Sequence, residues 1–129
     1  MNQRCFIRPY IKVSGGKAEL RVVYNYTSPV KIYWTGVNIY VDDETFSKRF
    51  PDEAIIRGQS VGTVWEYCDD AADTDLLQAI CEAQRPVRFC FVSPAGLSNY
   101  ILPAADVEAI RQTLETYDAM LAAGTQPAA

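Results

Sequence analysis

From Cys5 to Val13 the chain alternates apolar and polar residues, with Cys5, Ile7, Ile11 and Val13 on one face and Arg8, Tyr10 and Lys12 on the other. That period of two is the mark of a half-buried strand. Pro9 has no amide hydrogen to give to a ladder, so this strand belongs at a sheet edge or a bulge. Ser14-Gly15-Gly16-Lys17 reads as a tight hairpin turn, because paired glycines supply the positive φ angles such turns require. A second strand follows from Ala18 to Tyr26, and Thr27-Ser28-Pro29 turns into a third, Val30 to Val41, with a bulge or bend at Gly36. Asp42 to Phe46 supplies a turn and a short strand. Ala54 to Arg57 and Val61 to Cys68 make two more, on either side of Gly58-Gln59-Ser60.

The period changes after Asp69. Leu76, Leu77, Ile80 and Cys81 have the spacing of one helical face, which predicts a helix over Asp73 to Gln84, stopped by Pro86. Val87, Phe89 and Phe91 then alternate, Pro94-Ala95-Gly96 turns, and Leu97 to Leu102 returns as the partner strand. A closing helix runs from Pro103 to Leu121, with Val107, Ile110, Leu114, Tyr117 and Leu121 on one stripe and Asp106 and Glu108 near its positive end. Gly124 ends it, and residues 125–129 are expected to form a flexible tail. The sum is an α+β fold: a mainly antiparallel sheet or curled β-sandwich of about six strands packed with two helices, the longer one C-terminal. At 129 residues it is read as one domain over 1–124.

Composition narrows the function classes. Apolar residues make up 49% of the chain and charged residues 22%, which is ordinary globular usage and argues against disorder. A net charge of -4 with scattered basic residues disfavours nucleic acid and anionic membranes as partners. No apolar run reaches the roughly 18 residues that a membrane helix needs. The start, with Arg4, Arg8 and Lys12, lacks a signal-peptide core, so a cytoplasmic location is expected. Cys5, Cys68, Cys81 and Cys90 form no CxxC and are read as free thiols of a reducing compartment.

Histidine is absent, which removes Ser-His-Asp and Cys-His nucleophile pairs and the imidazole ligands of most catalytic zinc sites. Four aspartates between Tyr67 and Leu76 invite a metal reading. Counted from Asp69, an EF-hand loop would need an oxygen ligand at Ala71, glycine at Thr74 and glutamate at Ile80. The motif fails at all three, and Asp73 or Thr74 is instead expected to cap the helix. No metal or cofactor is therefore expected. Gly16-Lys17 leads into a strand and lacks the spacing of a phosphate loop, while Asn25-Tyr26-Thr27 has glycosylation spacing but reads as a turn. Glu66 beside Trp65 is the best single carboxylate for chemistry, although alternation points it to solvent with Trp65 and Tyr67 on the other side.

The order of strand signals through Val64-Trp65-Glu66, the Leu77-Gln78-Ala79-Ile80 helix, the Val87-Arg88-Phe89 strand and a closing helix resembles small bacterial domains of no assigned activity. The likeness covers about Val22 to Tyr117 and implies architecture only; it carries over no functional residue. Tyr24, Tyr26, Tyr33 and Trp34 gather at the two ends of one predicted hairpin. Tyr24, Tyr26 and Trp34 either pack beneath the closing helix or join Tyr33 in a rigid amphipathic recognition surface, and all four are the candidate partner-binding residues. Taken together, the expectation is a non-enzymatic protein-interaction domain acting as an adaptor, inhibitor or immunity-like protein. The alternative is a carboxylate-dependent enzyme or small-ligand binder centred on Glu66. A homodimer through an edge strand such as Cys5 to Val13 is a further expectation.

Overall fold

A computed structural model describes residues 5–128. Two antiparallel sheets and two helices make up the α+β fold. The first sheet contains β1 (Phe6–Ser14), β2 (Lys17–Ser28), β5 (Ile56–Ser60) and β6 (Thr63–Ala71), in the order β1-β2-β6-β5. The second contains β3 (Gly36–Val41), β4 (Glu44–Arg49), β7 (Arg88–Ser93) and β8 (Gly96–Ile101), in the order β4-β3-β7-β8. Helix α1 (Thr74–Glu82) links β6 to β7, and α2 (Ala104–Ala122) follows β8. As its proline requires, β1 lies at an edge, and Gly15 and Gly16 turn into β2 with φ of 59° and 75°.

The sheets face one another across an aromatic core. Tyr26 of β2 meets Phe91 of β7 at 5.6 Å between ring centroids, and Trp34 lies 4.9 Å from Phe91. Edge-to-face contacts of this kind add to area burial. Ala18, Leu20, Val22, Tyr24 and Tyr26 come from β2; Val37, Ile39 and Val41 come from β3; Phe89 and Phe91 come from β7. One end of this core is filled by Leu76, Leu77 and Ile80 of α1, and Ile110 is the residue of α2 that is fully inside. Among the described residues no helix is long and apolar enough to cross a membrane.

Three segments depart from the sequence reading. The third strand starts at Gly36, because Ser28 to Thr35 carries the chain from one sheet to the other. Gly36 is required there: a β-carbon on it would sit 2.8 Å from the Lys48 carbonyl oxygen. The β5–β6 hairpin turns at Val61-Gly62, with Gly62 at φ 74°, and Gly58 lies inside β5. Finally, β9 (Gln126–Pro127) runs parallel to Lys17-Ala18 within the segment expected to be a flexible tail, and the Ala128 amide donates to the Ala18 carbonyl at 2.8 Å.

Candidate functional site

The aspartate-rich run resolves as a cap. The Asp73 carboxylate accepts from the Leu76 amide at 3.1 Å, at the entrance of α1, and also pairs with Lys48 Nζ at 2.6 Å. Burial raises its pKa, but the Lys48 ammonium and the Leu76 amide outweigh that and hold it below the ordinary 3.8. Asp69 is occupied by Arg21, whose Nε lies 2.7 Å away, and by the Tyr10 hydroxyl. Among the described residues no three acidic, cysteine or histidine side chains converge to hold a metal.

Glu66 is the centre of a buried polar cluster. It is 0% exposed, so the expectation that it faces solvent is corrected: Val64, Glu66 and Cys68 point inward, while Trp65 and Tyr67 take the outer face of β6. Two features make this parity possible. Trp65 lies flat over Gly58 on β5, where a β-carbon would come within 2.5 Å of its ring. The inward carboxylate is also fully matched: Oε1 accepts from Arg57 Nε at 2.8 Å and Oε2 from the Ile32 amide at 2.8 Å. A buried charge is tolerated when it is paired and hydrogen-bonded in this way.

Arg57 completes the network. Its Nη1 reaches Asp52 at 2.7 Å and its Nη2 donates to the Trp34 carbonyl at 3.0 Å, while Trp34 Nε1 donates to the Glu66 carbonyl at 3.0 Å. Burial disfavours the guanidinium charge, yet the hydrogen bonds it donates to Glu66 and Asp52 hold its pKa above the usual arginine value. These contacts clamp the crossover between Ser28 and Thr35 onto the end of the first sheet. At the centre of the clamped segment stands Tyr33, 55% exposed, at φ 55°, with the Arg57 guanidinium 5.1 Å from its ring centroid. A bulky residue in the left-handed region costs on the order of 1–2 kcal/mol, and such strain persists only when its surroundings over-determine it.

The four aromatic candidates thus separate. Tyr24 and Trp34 are 0% exposed and Tyr26 is 6% exposed, all between the sheets, so only Tyr33 of the four stands on the surface. Val30, at 67% exposure, shares its segment. Val61 lies at the same end of the first sheet, because Ser28 pairs with Val64 just beyond the β5–β6 turn. Neither Val30 nor Val61 was singled out from sequence, where both look like ordinary strand residues; Pro29 before the first and Gly62 after the second were the available signals.

An apolar cleft lies elsewhere, between the end of α1 and the start of α2. It has a volume of about 590 Å³ and is lined by Ile80, Val87, Ile101, Leu102 and Val107, with Arg111 at its rim donating to the Cys81 carbonyl at 3.0 Å. All four cysteines are free thiols, and burial raises the pKa of each, that of Cys68 to about 11. No protein-family model matches the chain, and no curated protein and no solved structure is significantly similar to it.

Proposed function

We propose that the protein is a non-enzymatic interaction domain, an adaptor, inhibitor or immunity-like protein, that recognises a protein partner through the Ser28–Thr35 crossover with Tyr33 as its anchor. One observation carries this reading: a large aromatic side chain is presented to solvent from a strained backbone that a buried ion-pair network holds in place. Strain of that kind clusters at sites of recognition and catalysis. Tyrosine is enriched among interface anchors, because it offers a rigid amphipathic area at low entropic cost. Exposed Asp52, whose side chain is 78% accessible, pairs with the same Arg57 that lies against the Tyr33 ring, which suits a basic partner surface. Glu66, with no exposed surface and both oxygens engaged, serves here as the counter-ion of Arg57 and not as a reacting acid.

The test places a photo-crosslinking amino acid at position 33, and in a second protein at exposed position 115 on α2, in the native host. A single protein captured from position 33 and absent from position 115 supports the proposal. No capture, or the same products from both positions, overturns it. Substrate turnover by the purified protein that vanishes in a folded Glu66→Gln variant would replace it with the carboxylate-dependent reading.

A further inference from the structure

The two sheets have four outer edges, and three of them are visibly protected. β1 carries Pro9, Arg8 and Lys12 and lies against α2; β4 carries Glu44, Lys48 and Arg49; β5 is five residues long with Arg57 turned inward. Charge, proline, shortness and inward-pointing ions are the devices by which proteins keep edges from pairing. β8, six residues long, has no charge, no proline and no inward-pointing ion. Its sequence is Gly96-Leu97-Ser98-Asn99-Tyr100-Ile101, and its register with β7 runs without a bulge from Gly96 to Ile101. Among the described residues no strand pairs with its outer side. Leu97 and Ile101 are 63% and 64% exposed.

We propose that β8 pairs antiparallel with β8 of a second copy of the chain, about a twofold axis through Asn99. The phase of the strand fits this arrangement. The Leu102 amide donates to the Val87 carbonyl at 2.8 Å, so by antiparallel alternation Tyr100 and Ser98 spend their amides and carbonyls on β7, while Leu97, Asn99 and Ile101 turn theirs outward. Centring the pair on Asn99 sets Asn99 against Asn99 of the partner subunit and Leu97 against Ile101 of the partner subunit. It satisfies about six backbone hydrogen bonds and opposes no like charges. The segment is self-complementary, which a twofold interface demands.

Ile101, at the end of the proposed strand pair, also lines the apolar cleft of about 590 Å³ together with Leu102 and Val107. The surface is separate from Tyr33, which leans on Arg57 of β5, at the edge of the other sheet.

Sedimentation velocity of the full chain over a dilution series tests the proposal. A dimer that dissociates on dilution is expected, together with a monomer at every concentration for Leu97→Lys and for Asn99→Pro. Both variants should keep the wild-type melting temperature, since Leu97 is exposed and the Asn99 amide serves no intrachain ladder. A short bismaleimide should bridge Asn99→Cys from 99 to 99, read by mass spectrometry, because hydrogen-bonded partners in such a ladder sit about 5.5 Å apart. A wild-type chain that is monomeric at all concentrations overturns the proposal. So does a dimer that survives Leu97→Lys and forms no 99-to-99 bridge.

Discussion

Tyr24 is a buried tyrosine whose hydroxyl has no hydrogen-bond partner among the described residues. Burial, with Asp70 and Asp73 nearby, pushes its pKa well above the ordinary value, so it stays neutral and unpaired. An orphaned buried hydroxyl costs about 1–3 kcal/mol, which makes Tyr24→Phe a variant expected to be as stable as the wild type or about 1 kcal/mol more stable. Denaturant unfolding measures it, and a loss of more than about 1 kcal/mol would mean that the hydroxyl is satisfied. Tyr33 offers a second case. In most chain segments alanine is more stable than glycine by roughly 0.4–1 kcal/mol. At φ 55° the order should reverse, with Tyr33→Gly about 1 kcal/mol more stable than Tyr33→Ala, because only glycine escapes the β-carbon clash of the left-handed region. Equal stabilities would show that the backbone relaxes once the ring is removed. Both residues were noticed in the sequence as aromatics of one hairpin. Which was core and which was surface depended on where β2 ended, and Pro29 was the one local sign of that.

The junction of β5, β6 and the crossover depends on one buried ion pair, with the Arg57 side chain 11% and Glu66 0% accessible. Removing one partner of such a pair strands the other charge in the core, so Glu66→Gln and Arg57→Met are each expected to cost about 3–5 kcal/mol. The double variant Glu66→Gln with Arg57→Met should cost clearly less than the sum of the two single effects, since it leaves no unpaired charge in the core. A double-mutant cycle from urea unfolding reads this, and additive losses would show that the two groups act independently. Element boundaries were legible where local chemistry marks them: paired glycines before β2, an aspartate cap before α1 and proline before α2. The crossover was not legible, because Val30 to Thr35 has the composition of a strand. Ahead of Thr35 the Ile32 amide goes not to a strand but to the Glu66 carboxylate, an interaction across 34 positions.

For the whole molecule, acid should be the sensitive direction. Asp42 has its pKa lowered chiefly by the Gln84 amide, and Asp73 has its lowered by Lys48 and the Leu76 amide once burial is offset. Both folded values lie below the unfolded 3.8, so the native state binds fewer protons there. Their contribution is complete above that value and is lost as pH falls through the folded pKa values. Thermal melts between neutral pH and about pH 2 should therefore fall steeply at the acid end, and the fall should be shallower for Asp73→Asn. An unchanged acid limb in that variant would place the dependence elsewhere. The α+β class, the two helices and the antiparallel order were readable from the chain alone, because hydrophobic period and turn chemistry act between near neighbours. The choice of inner face on β6 was made by the folded molecule. Alternation through Val64 to Cys68 defines two faces without saying which is inside, and the answer came from Arg57 neutralising Glu66 and from Gly58 leaving room for the Trp65 ring. Those partners meet only when the hairpin closes, and the third contact on Glu66, from the Ile32 amide, only when the crossover lies down on it.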